Sequence, residues 1–155
     1  MDPSNLSVAK IRQALQAGET SAVEVVKAYL AEIKKQDKEI NAWLFVDEQG
    51  ALQQAQAIDS KSEKGVLAGT VVGVKDNIMV EGLPCTAGSK ILENYKATYD
   101  ATVIKKLKDA GAIILGKLNL DEFAMGSSGE YSAFGATKNP RNKNLVPGGS
   151  SSGPA

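Results

Sequence analysis

The chain contains no histidine. That absence removes the commonest biological base near neutral pH, so no Ser-His-Asp or Cys-His catalytic system can be built from these residues. A serine doing nucleophilic work here needs a lysine, a carboxylate or a group from other sequence as its base. Cysteine is nearly absent as well. Cys85 stands alone, which excludes an internal disulfide and a cysteine zinc cluster and fits a reducing, cytoplasmic setting. Neither sign of charge is in excess, with 18 basic against 18 acidic residues. This argues against nucleic-acid binding as the main task and gives no ground for a polybasic membrane contact. Lys138, Arg141 and Lys143 form a small basic group that reads as solvated loop. No apolar run approaches the length of a membrane span. The opening Met1-Asp2-Pro3-Ser4-Asn5 has neither the basic start nor the apolar stretch of a signal peptide. Nucleotide motifs are missing too: no G-x-G-x-x-G occurs, and the late glycine run lacks the lysine of a P-loop.

What is present suffices for one domain with a core, since the chain has 155 residues and an apolar share of 43%. The first third reads as helical. Val8, Ile11 and Leu15 recur at helical spacing and Gly18 closes the segment. Ser21 and Glu24 match a capping box. Beyond them Val23, Val26, Tyr29, Leu30 and Ile33 share one face, and Lys34, Lys35 and Lys38 crowd the C-terminal end, where the helix dipole favours positive charge. Asp47 is an N-cap for a third helix through Ala51, Ala55 and Ile58. The link from Ile40 to Val46 reads as a short buried extended segment. The character changes near Gly69. Thr70 to Val74 and Ala112 to Gly116 are β-branched and apolar, as buried strands are. Between them Val103, Leu107 and Ala110 mark one face of a helix ended by Gly111. Strand, helix, strand predicts a crossover and a parallel pair. The expected class is therefore α/β: residues 1–64 mainly helical, residues 65–155 the start of a mixed sheet flanked by helices.

Five groups of residues invite chemistry. Lys75 follows an apolar strand; there it is either a partly desolvated base or a surface lysine paired with Asp76. Ser150, Ser151 and Ser152 lie in Pro147-Gly148-Gly149-Ser150-Ser151-Ser152-Gly153-Pro154-Ala155. That run reads either as serines delivered to a helix N-terminus or as a flexible linker. Asp121 and Glu122 are sequence neighbours on an expected short helix, which makes them a poor acid–base pair, and helix capping accounts for them better. Met125, Gly126 and Ser127 line a pocket or simply turn the chain. Cys85, with no cation beside it in sequence, reads as a small buried hydrophobe.

Taken in order, Gly73-Val74-Lys75-Asp76-Asn77, Thr86-Ala87-Gly88-Ser89, Gly116-Lys117-Leu118-Asn119 and Pro147-Gly148-Gly149-Ser150-Ser151 resemble the amidase signature family. The stretch from Leu120 to Gly135, with Asn139-Pro140 after it, resembles the branch formed by the A subunits of bacterial glutamyl-tRNA(Gln) amidotransferase. The resemblance implies an amidase signature fold in truncated form, a single amidase domain of which residues 1–155 are the N-terminal portion. It implies a Lys-Ser-Ser triad in which Lys75 is the lysine and Ser150 the bridging serine. The nucleophilic serine and its oxyanion glycines would lie beyond Ala155, so the isolated chain is expected to be inactive. Met125, Gly126 and Ser127 match part of the family's glutamine pocket. The Gly149–Ser150 bond is expected to be cis in the complete protein, and trans or disordered in the isolated chain. Ser152 and Pro154 stand where the family commonly has glycine and serine.

The implied activity is glutamine hydrolysis that supplies ammonia for converting Glu-tRNA(Gln) to Gln-tRNA(Gln). The implied partners are a B subunit, which carries most tRNA contact and uses ATP and magnesium, and a small C subunit. No cofactor or metal is expected in this chain, no membrane contact is expected, and the setting is cytoplasmic. Aspartyl-tRNA(Asn) remains open as a second substrate. The alternatives are a stand-alone amidase of the same family and an inert or partner-binding truncation.

Overall fold

The computed structural model describes residues 7–61 and 65–155. The opening Met1 to Asn5 and the end of the expected helical part at residue 64 lie outside the described residues. The class is α/β, with helices and a three-stranded sheet. In chain order the elements are α1 (Val8–Ala17), α2 (Ala22–Ile40), β1 (Trp43–Val46), α3 (Glu48–Asp59), β2 (Val71–Lys75), α4 (Thr102–Asp109) and β3 (Ile113–Leu118), with 3₁₀ turns at Lys90–Leu92 and Glu122–Ala124. The strand order is β1-β3-β2. β1 pairs antiparallel with β3, Val46 facing Gly116 and Trp43 facing Leu118. β2 and β3 run in the same direction: Ile113 N–H donates to Thr70 O near their starts, and Asp76 N–H donates to Leu118 O at their ends. The crossover read from the sequence is therefore present, through α4.

By compactness the chain divides into two units. The first comprises Met1–Lys35, Asp47–Val72 and Thr102–Leu115. Its helices start and stop where local chemistry directs. Ser7 Oγ accepts from Lys10 N–H at the start of α1, and Gly18, at φ 71°, closes it in the left-handed conformation that glycine adopts without strain. The Ser21–Glu24 capping box forms in both directions, Glu24 N–H to Ser21 Oγ at 3.1 Å and Ser21 N–H to Glu24 Oε2 at 2.9 Å. A contact the sequence does not announce adds to it: the Asp59 carboxylate, at the far end of α3, accepts from Ala22 N–H at 2.8 Å and Val23 N–H at 3.1 Å. Gln54 on α3 grips the edge of β3, accepting from Ile114 N–H at 3.0 Å and donating to Ile114 O at 3.2 Å. Ile11, Leu15, Val25, Val26, Ile104 and Ile113 are among the buried apolar side chains of this unit. Each fully buried side chain of that size contributes about 1.5–3 kcal/mol.

Two burial expectations change here. On α4 the core-facing residue is Ile104, 1% exposed, whereas Val103 is 49% exposed. Leu107 and Ala110 of the expected face are half-buried, and Ile104 takes the inward place expected of Val103. β3 is buried along its whole length, but β2 is mostly half-buried, and the Ile40 to Val46 link, read as buried, is half-buried with Phe45 exposed. A β-branched run thus forms β2 without complete enclosure.

The second unit comprises Gln36–Val46, Gly73–Ala101 and Gly116–Ala155. Much of it is loop, and its loops are held by side chains. Asn41, at φ 58°, places Nδ2 within 3.2, 3.1 and 3.3 Å of the carbonyl oxygens of Phe134, Gly135 and Ala136. Asn41 O in turn accepts from Asn119 Nδ2 at 3.0 Å and Thr137 Oγ1 at 3.1 Å.

Candidate active site

Lys75 ends β2, after the buried Val74. Its Nζ donates to Ser150 Oγ at 2.8 Å and to Ser151 Oγ at 2.8 Å. Two residues 75 positions apart, singled out separately in the sequence, are thus in direct contact. Partial burial lowers the Lys75 pKa below the usual lysine value, because desolvation disfavours the ammonium, while the carboxylate of Asp121 works in the opposite direction.

Asp76 does not pair with Lys75. Successive side chains of a strand point to opposite faces, and Asp76 enters the interior. There its Oδ1 meets Lys117 Nζ at 2.8 Å, both side chains at 0% exposure. Its Oδ2 accepts from Thr86 N–H at 2.9 Å and from Thr86 Oγ1 at 2.5 Å. Lys117 Nζ also donates to Pro84 O at 2.8 Å. The Asp76 carbonyl accepts from Ala87 N–H at 3.0 Å and from Cys85 Sγ at 3.4 Å. This buried ion pair fastens the 84–89 loop to the ends of β2 and β3. Cys85 is buried, as read; burial raises its thiol pKa, and the Lys117 ammonium works against that rise.

Asp121 has a different role from the helix cap expected. It makes no capping bond to the 3₁₀ turn after it, and that turn is broken by Phe123 at φ 51° and Ala124 at φ 59°. The carboxylate, at 0% exposure, instead accepts from Gly129 N–H at 3.1 Å and Tyr131 N–H at 2.9 Å. Its own N–H donates to Ser150 O at 3.1 Å. Gly126 and Gly149 both lie so close that a Cβ on either would strike the Asp121 side chain. Gly149 N–H donates to Ser127 O at 2.7 Å, and the Gly149–Ser150 peptide bond is cis.

The 125–127 segment thus reaches the serine turn through its backbone. Gly126 abuts Asp121 and the Ser127 carbonyl holds Gly149, while the Met125 side chain is 74% exposed. Ser152 is buried at 1% and shares a 3.1 Å hydrogen bond with Thr137 Oγ1, so a serine fits at that position. Ala155 N–H donates to Ser151 O at 3.2 Å, a single turn of the helical i to i+4 kind. In the basic group, Lys143 pairs with Glu39 at the surface.

Sequence reasoning singled out Asp121 but gave it a capping role, and it missed the Asp76–Lys117 pair. The available signal for Asp121 was the glycines that follow it at 126 and 129, since a chain that wraps a carboxylate with its N–H groups needs room. Among the described residues, no group of three or more His, Cys, Asp or Glu is placed to hold a metal ion, and no helix is long and apolar enough to cross a membrane.

The family model described as Amidase matches residues 24–155. The A subunit of glutamyl-tRNA(Gln) amidotransferase from Agathobacter rectalis is 49% identical over 157 aligned residues, covering 99% of this chain and 31% of that protein. Its namesake from Salinibacter ruber is 53% identical, covering 93% and 29%. Among solved structures, the A subunit of glutamyl-tRNA(Gln) amidotransferase from Thermotoga maritima superposes with a TM-score of 0.83 at 40% identity, covering 99% of this chain and 31% of that one. The peptide amidase of Stenotrophomonas maltophilia gives 0.90 at 33% identity, covering 96% and 33%. The chain spans about a third of the length of these relatives.

Proposed function

The chain belongs to the amidase family, and on that premise we propose that it is part of a glutamine-hydrolysing subunit of a glutamyl-tRNA(Gln) amidotransferase. The observation that carries this reading is the contact of Lys75 Nζ with Ser150 Oγ at 2.8 Å in a chain without histidine. A lysine whose ammonium is disfavoured by burial serves as a base once neutral. In this reading neutral Lys75 accepts the Ser150 hydroxyl proton as Ser150 accepts one from a nucleophilic serine later in the longer protein. That serine attacks the side-chain amide of glutamine. The carbon–nitrogen bond breaks, the nitrogen takes the proton returned through Ser150 and leaves as ammonia, and water then releases glutamate from the acyl-enzyme. The 125–127 segment borders the glutamine site, since it is bonded to the turn that carries Ser150.

The remainder of the reading goes beyond the names of the relatives and extends the resemblance of the sequence motifs. Ammonia passes to a B subunit that uses ATP and magnesium on Glu-tRNA(Gln), and a C subunit joins the assembly, in the cytoplasm. The test is Lys75→Ala in the complete protein assembled with its partners. Glutamine-dependent amidation should fall by about 10²–10⁴-fold, while amidation from free ammonia persists. Equal loss of both activities would make Lys75 structural and overturn the assignment.

The likeness to a peptide amidase supports a second reading, a stand-alone amidase. Full amide hydrolysis by the complete protein without any partner subunit would favour it.

A further inference from the structure

Three features of the second unit stand outside the proton path just described: the Asp76–Lys117 pair, the Asn41 amide and Asp121. Asp121 alone touches both the serine turn and the segment bordering the amide site. Its carboxylate is completely enclosed and is gripped by N–H groups of Gly129 and Tyr131. Its backbone N–H holds the Ser150 carbonyl. Gly126 and Gly149 close on it from two loops, with no room for a side chain at either. A negative charge so enclosed is stabilised by N–H donors, and it fixes the places of whatever supplies them.

We propose that Asp121 is the positioning residue of the Lys75–Ser150 pair, one carboxylate that fixes the serine turn and the 125–131 loop together. The proposal rests on the assignment of Lys75 as the base. Burial lowers the Lys75 pKa, and the Asp121 carboxylate works against that lowering. Asp76, the lysine's neighbour in sequence, is turned inward and matched by Lys117. The Asp121 charge favours the ammonium, so it raises the pH at which Lys75 becomes neutral and can accept a proton. Removing that charge should make neutral Lys75 available at lower pH, while loosening the turn that presents Ser150.

The experiment measures kcat/KM for glutamine against pH in the complete protein assembled with its partner subunits. Asp121→Asn should move the acid-side limb to lower pH and lower the plateau. Asp121→Glu keeps the charge but displaces it, so its limb should stay at the parent's pH with a lower plateau. An unmoved limb in Asp121→Asn, with Lys75→Ala inactive, overturns this proposal alone. Retained glutamine hydrolysis in Lys75→Ala overturns the base assignment and this proposal with it. Amidation from free ammonia reports whether each variant assembles. If Asp121→Asn fails that check, Asp121→Glu decides: a reduced plateau at the parent limb supports the proposal, and a parent-like rate overturns it.

Discussion

Replacing Lys117 by methionine removes one charge from a fully enclosed pair and leaves the volume nearly unchanged. Asp76 then keeps the two Thr86 donors on Oδ2, but its Oδ1 loses the ammonium at 2.8 Å, and the Pro84 carbonyl loses its donor. Breaking a buried pair from one side costs about 3–5 kcal/mol, because the other charge stays behind without compensation. The two Thr86 bonds soften the loss, so the expected cost lies near the lower end, about 3 kcal/mol. Urea unfolding followed by the fluorescence of Trp43, the single tryptophan of the chain, would read it. With a slope of about 2 kcal/mol per molar, the midpoint should fall by about 1.5 M. The double variant Asp76→Asn with Lys117→Met leaves neither charge of the pair, so it should lose less than the sum of the two single losses. A single variant within about 0.5 kcal/mol of the parent, or strict additivity in the double, would show that the pair does not hold the 84–89 loop.

Gly129, at φ 85°, faces Ser152, whose Cβ would stand 2.5 Å from a Cβ added to the glycine. Gly129→Ala should therefore destabilise by about 2 kcal/mol or more, and Ser152→Gly should restore part of the loss, with the left-handed backbone accounting for the rest; absence of any rescue in urea melts would place the strain elsewhere. The 155-residue chain alone should release no ammonia from glutamine above a Lys75→Ala control, because groups of this kind act as a unit and the proposed nucleophile belongs to later sequence. Measurable release that depends on Lys75 would instead point to Ser151, which also touches the lysine.

The sequence was most legible where structure is local. The Gly18 end of α1, the Ser21–Glu24 box and the Asp47 cap of α3 depend on residues within four positions of one another, and all form as read. Lys75 and Ser150 were found through motif order rather than through any periodicity. What was illegible depends on partners distant along the chain. Ile104 and Val103 are adjacent apolar residues on a two-turn helix, and only the packed helix decides which of them faces inward. The Asp76–Lys117 pair joins the ends of two strands whose register no spacing reveals. Asp121 looked like a helix cap because an aspartate before a short apolar run usually is one. The chain bends instead through two left-handed residues and brings back N–H groups from eight and ten positions later.

The Asn41 amide has a consequence for biosynthesis. Its three carbonyl partners lie 93 to 95 residues further along the chain. At about 5–20 residues per second, a ribosome adds them roughly 5–20 s after Asn41 itself. During that interval the amide has only water to satisfy it, and the segment that becomes β1 has no strand to pair with until β3 is made. Three helices need not wait in the same way, since α1, α2 and α3 are complete by Asp59. Translation therefore delivers the helical hairpins early and the loop latch late, so the serine turn is joined to its lysine only after nearly the whole of this sequence has left the exit tunnel.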